Sequence, residues 1–262
     1  MRNFHANTQP GRRQAINNWL GKTVKSSSIV GGLTAVMVLA NSLVPTSLFA
    51  EEKLEIKDFD YWANFCKLLG EEKKYDEAIA ACNQGIAIKP DEPEIWITRT
   101  EILLKQAKYS EALVSADRTL RLQPKYSLAL AQRCEALLNL NKTAEAIAAC
   151  DLALRSDGNW GNHTEVVALY NRALGQSKLG QLDAAITSYQ RTLEINPENS
   201  LALVGNCQAL SNLSRFSEAI AACDAAIKVN KNWGETTPAI AWYTKGLAQK
   251  KKRAIRRSDR LL

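Results

Sequence analysis

The chain has 262 residues, 46% of them hydrophobic and 23% charged, with only 13 glycines and 7 prolines. That composition excludes a disordered or loop-rich all-β chain, and the recurrence of Ala, Leu, Glu, Lys and Gln favours helices. The net charge of +7 belongs to the two ends: residues 1–50 carry +5 and residues 245–262 carry +7, which leaves −5 for residues 51–244. A mildly acidic body argues against nucleic acid as a partner, since a binding face needs its own basic stripe.

The basic N-terminal stretch ends at Lys25, and an uncharged apolar run follows from Ile29 to Ala40. Small and helix-breaking residues lead to Ser47-Leu48-Phe49-Ala50, and charge returns at Glu51-Glu52. This is the three-part layout of a secretory signal, with cleavage expected after Ala50, although Leu48 departs from the small residue of an A-x-A site. The alternative is an uncleaved anchor, because Ile29 to Ala50 is long enough to span a bilayer. Both readings put the body across the membrane from the positive flank, in a periplasm or equivalent lumen.

Beyond residue 50 the sequence repeats. Lys89-Pro90 and Gln123-Pro124 lie 34 residues apart, as do Trp62 and Trp96, Tyr75 and Tyr109, and Ala78 and Ala112. Units beginning at Ser127, Val166 and Ser200 continue the pattern, placing Ala146, Ala185 and Ala219 at the same point of the second helix. Hydrophobic periodicity predicts helix pairs over 59–71 and 75–88, 93–106 and 109–122, 127–140 and 143–155, 166–179 and 182–195, and 200–213 and 216–229. A last helix is expected from Pro238, since proline suits a first turn. No unit can bury its apolar stripe alone, so stacking must supply the core.

The first unit reads Trp62-x-x-Phe65-Cys66-x-x-Leu69, then Tyr75, Ala78, Cys82, Ile86 and Pro90. In this the chain resembles the tetratricopeptide-repeat family over residues 59 to about 249. The resemblance implies an all-α, right-handed solenoid of five full helix-turn-helix repeats plus a C-terminal helix. The expected organisation is a signal or anchor over 1–50, a solenoid over 51–249 and a basic tail over 250–262. The second half also resembles a double-repeat variant: Asn159-Trp160-Gly161 recurs as Asn232-Trp233-Gly234, with five extra residues in each link. Gly158 and Lys231 stand where the closing proline is expected.

Six cysteines form three pairs at a spacing of 16: Cys66 and Cys82, Cys134 and Cys150, Cys207 and Cys223. In each pair the first stands at the small-residue contact point of helix A and the second on the facing side of helix B. Units two and four have neither, carrying Thr100 and Ala116, then Ala173 and Tyr189. Export favours three intra-repeat disulfides; the plainer alternative is a small hydrophobe copied by duplication. Two thiols without a close histidine make no metal site.

Only His5 and His163 are present, and no phosphate loop, CxxC or nucleophile–histidine–acid set is found, so neither catalytic residues nor a cofactor are expected. The resemblance implies that helix A lines a concave groove holding another protein or peptide segment. At the second, fifth and ninth positions of each unit, the groove runs from charged (Asp60, Lys67, Glu94, Glu101) to apolar and aromatic. The expected peptide-binding residues are Val167, Tyr170, Leu174, Leu201, Val204, Ile240, Tyr243 and Leu247. The basic run Lys250-Lys-Lys-Arg253 with Arg256-Arg257 serves either as a polar cap or as a peripheral membrane contact.

Overall fold

The computed structural model describes residues 58–161, 163–229 and 238–258. The expected signal or anchor with its cleavage point at Ala50, and the second Asn232-Trp233-Gly234 motif with Lys231, lie outside the described residues. Eleven helices are described: α1 (Phe59–Glu71), α2 (Tyr75–Ile88), α3 (Pro93–Lys105), α4 (Tyr109–Leu122), α5 (Ser127–Asn139), α6 (Thr143–Ala153), α7 (Val166–Lys178), α8 (Leu182–Ile195), α9 (Ser200–Asn212), α10 (Phe216–Val229) and α11 (Pro238–Ser258). They form an all-α solenoid of five helix pairs and a final helix. The basic run from Lys250 belongs to α11 rather than to a separate tail.

Each unit turns from helix A to helix B in the same way. The last residues of helix A are followed by a residue in the left-handed region: Lys73, Ala107, Asn141, Gly180 and Ser214, with φ between 58° and 73°. The amide of the next residue then donates to a carbonyl five residues back, as Lys74 to Leu69, Lys108 to Leu103 and Arg215 to Leu210, each at 2.9 Å. These Schellman closures satisfy carbonyls that a helix end leaves unpaired.

Every helix packs on the next, and each helix A also packs on the next helix A, whereas among the described residues no two helices B bring their backbones within 8 Å, Cα to Cα. The helices A therefore form the inner wall. The helix-B alanines Ala78, Ala112, Ala146, Ala185 and Ala219 are fully buried, which permits the close packing within each unit. Polar clasps tie one unit to the next: Arg133 to Asp117 at 2.8 Å, Arg172 to Asp151 at 2.7 Å and Lys245 to Asp224 at 2.5 Å. Arg99 makes the equivalent reach to Asn83 at 3.0 Å.

The three cysteine pairs are joined as disulfides, with Cα–Cα distances of 5.1, 5.4 and 5.3 Å. These fall within the range a disulfide requires. All six cysteines are fully buried at the A–B contact.

The lengthened link after α6 replaces the closing proline with a docked turn. Gly158 and Gly161 take φ of +72° and +57°, which glycine adopts without strain. Asp157 accepts from the amides of Ser127 at 3.1 Å and Asn159 at 2.8 Å, and the Leu128 amide donates to Asn159 at 3.0 Å. The link thereby caps α5, whose own N-cap residue Tyr126 makes no side-chain cap bond. Burial pushes the Asp157 carboxyl up, but these hydrogen bonds outweigh it and hold it below its ordinary range. Trp160 packs on the third unit's core.

Candidate concave binding surface

Two clefts lie along the helix-A wall. The N-terminal one, of about 420 Å³, is lined by Ala63, Lys67, Glu94, Ile97, Glu101 and Leu128, which are second-, fifth- and ninth-position residues of units one to three. The docked link closes one side of it with Gly161 and His163, whose Nε2 lies 3.8 Å from a Glu101 carboxylate oxygen. In its lining Glu92, Glu94 and Glu101 outnumber the single Lys67. Burial, and then the neighbouring Glu92 carboxyl, push Glu94 upward. Close by on α5, Glu135 is pushed up by burial, with Glu101 adding to the effect and a hydrogen bond with Asn171 opposing it.

The C-terminal cleft, of about 340 Å³, is lined among others by Leu174, Tyr189, Gly205, Gln208, Tyr243 and Leu247. It joins three of the eight residues expected from the sequence: Leu174, Tyr243 and Leu247. Tyr243 stands 73% exposed at its rim. The other five do not line it. Val204 is 4% exposed in a core cluster with Leu203, Ala226 and Ala241. Val167 packs on the third unit's core. Tyr170 packs on Ala173, Ala185, Tyr189 and Ala202, and burial, followed by Tyr189 and Glu135, pushes its phenol up to about 12. Leu201 is half-buried and Ile240 exposed, and neither lines a described cleft.

The correction has a geometric cause. Fifth-position side chains point along the wall at the following helix A: Ile97 meets Leu128 and Ala129, Tyr170 meets Ala202, and Val204 meets Ala241. Of the fifth-position residues only Tyr243, on the last described helix, is exposed.

The sequence reading passed over Tyr189. It stands where α2, α6 and α10 carry a half-cystine, opposite the small Ala173, and its ring runs across the unit boundary against Gly205. A Cβ at Gly205 would collide with that ring. The signal was the loss of both cysteines in unit four together with a glycine in the next helix A.

Among the described residues no group of His, Cys, Asp and Glu is arranged to hold a metal ion, and no helix is long and apolar enough to cross a membrane.

Comparison with known proteins agrees with this architecture. Residues 59–92, 101–159 and 166–199 each match a family model described as tetratricopeptide repeat. No curated protein sequence matches the chain. Among solved structures, the chain is similar to YrrB, described as a TPR protein with an unusual peptide-binding site (TM-score 0.55, 16% identity, 72% of this chain and 93% of that one). It is also similar to PilW, a widely conserved type IV pilus biogenesis factor (TM-score 0.56, 20% identity, 74% and 91%). A third is MamA from Desulfovibrio magneticus RS-1 (TM-score 0.53, 17% identity, 65% and 92%). At these identities the likeness is one of fold.

Proposed function

Because the chain belongs to the tetratricopeptide-repeat family, we propose that it is an exported, non-catalytic scaffold that holds a segment of a partner protein against its helix-A wall. The observation that carries this is the C-terminal cleft, where Tyr243 and Leu247 sit over Leu174 and Tyr189. An open tyrosine beside leucines suits hydrophobic anchors of an extended or helical peptide, and aromatic side chains dominate such contacts. A peptide-binding site in YrrB and a biogenesis role for PilW support a scaffold or assembly factor working in an envelope or lumenal complex. Export rests on the layout of residues 1–50, and buried disulfides suit an oxidising compartment.

The test is a paired pull-down from the native envelope fraction, using the chain with and without Tyr243→Glu and Leu247→Glu. One stoichiometric protein held by the first and lost by the second is expected. Equal recovery by both baits would sink the reading. Intact-mass measurement of the native protein is expected to start at Glu51; a mass retaining residues 1–50 would replace the signal with an anchor.

A second reading is a structural protein of the membrane surface, held by an uncleaved N-terminal segment and the cations of α11. It is favoured by the exposure of Lys250, Arg253 and Arg257 on that helix. It predicts sedimentation with membranes that persists in high salt.

A further inference from the structure

Among the described residues, the last helix, α11, takes the place of a helix A and is followed by no helix B. In the five complete units the eighth residue is Cys66, Thr100, Cys134, Ala173 or Cys207, each fully buried against its own helix B. In α11 the clasp of Lys245 to Asp224 fixes the register, with Ala239 as position one, so the eighth position is Gly246, which is exposed, and a Cβ there would meet nothing within 4 Å. At the fourth position Leu130, Leu169 and Leu203 are at most 7% exposed and Trp62 and Trp96 are half-buried, whereas Trp242 is 55% exposed. The opposite side of α11, through Ala241, Thr244 and Ala248, is buried. Trp242 and Gly246 therefore form an open seat of the kind that every earlier unit fills with an antiparallel helix.

The charge along this face says which helix fits. After Gly246 it continues into Lys250, Arg253 and Arg257, and α11 contains no acid. In an antiparallel pair the start of helix B lies beside the end of helix A. Every helix B of this chain begins with acid: Asp76 and Glu77, Glu111, Glu145, Asp183 and Glu218. The cationic end of α11 is thus placed where an incoming helix B would present an acidic first turn, an arrangement its own N-terminal dipole also favours.

We propose that α11 docks an amphipathic helix of a partner protein, laid antiparallel as a substitute helix B, with an acidic first turn over Lys250, Arg253 and Arg257 and a small-residue face on Trp242 and Gly246. The close approach depends on glycine, because interaxial distance follows the side chains at the contact. This site is separate from the concave wall, so its failure would leave the scaffold reading standing.

The probe is a fluorescent peptide with the sequence of Tyr75–Ile88 carrying Cys82→Ala, stapled through the exposed positions 80 and 84 so that it is helical when free. Titration with the full chain is expected to give saturable binding. That binding should weaken at least about tenfold with Gly246→Leu, and equally with the Arg253→Glu, Arg257→Glu pair. A peptide with Asp76 and Glu77 changed to Lys should ignore the wild type and recover binding to the Arg-to-Glu pair. Absence of saturable binding, or binding indifferent to Gly246→Leu, would overturn the proposal. So would a chain that ignores the peptide but sediments with phosphatidylglycerol vesicles through the same cations, which would assign the face to lipid.

Discussion

Glu135 shows how a polar residue on a crowded inner wall acquires a pH signature. Its carboxyl is pushed up chiefly by burial, so the folded state holds the proton more tightly than the unfolded chain does. A carboxyl whose folded value lies above its unfolded one favours the fold at low pH, and that contribution disappears as pH rises through the folded value. Glu135→Gln is therefore expected to raise the melting temperature at neutral pH and to give no gain below the ordinary carboxylate range. Paired thermal melts across that window check it; a gain of the same size at both ends would show that charge is not the cause. Tyr189 illustrates a different limit of residue-level reading. A spacing of 16 marks it as equivalent to a half-cystine, yet its size carries it past Ala173 and into the neighbouring unit.

For the elements, the sequence was most legible where periodicity is strong. Helices α1, α2, α4, α8 and α10 have the expected bounds, α3, α5, α6, α7 and α9 end one or two residues early, and α11 starts at the expected Pro238 but runs on to Ser258, through the stretch expected as a tail. The A-to-B turn was not legible, because Lys73, Ala107, Asn141, Gly180 and Ser214 share a backbone conformation without sharing a side chain. A tertiary closure imposes that conformation and tolerates what each position happens to carry. A Cβ in the left-handed region costs roughly 1 kcal/mol, offset partly by the greater unfolded-state freedom of glycine. Ala107 is exposed with φ of 58°, so Ala107→Gly is expected to stabilise the chain by up to about 1 kcal/mol in urea unfolding. A loss instead would mean that the turn selects its residue. The groove assignment was only partly legible for a related reason. An offset within the repeat fixes the side of the helix, but whether the side chain meets solvent or the next helix A depends on there being a next one.

Over the whole molecule, units one, three and five are stapled, whereas units two and four join their helices by packing and side-chain hydrogen bonds, such as Ser188 to Gln176, without a disulfide. In a solenoid each unit is stabilised by itself and by its neighbours, so a staple acts mainly where it sits. Closing a loop of this size contributes roughly 3 kcal/mol. Cys134→Ala with Cys150→Ala is expected to destabilise the chain by about that amount, and the oxidised wild type should melt well above the reduced one. Identical melts under oxidising and reducing conditions would return the cysteines to the role of small hydrophobes. The repeat count and the pairing of cysteines could be read in advance because both are matters of spacing. The docked link could not, since Asp157 reaches α5 through hydrogen bonds that no periodicity announces.

The staples also give the chain an uneven response to tension. Each closes a stretch of 16 residues within one unit, and none crosses from one unit to another. A pull on the two ends would therefore part the joints and undo units two and four, while each staple withholds about 50 Å of extended chain. Reduction would release that length in three steps. The oxidised solenoid is a tether with a fixed reserve, lengthening under load only where it carries no sulfur.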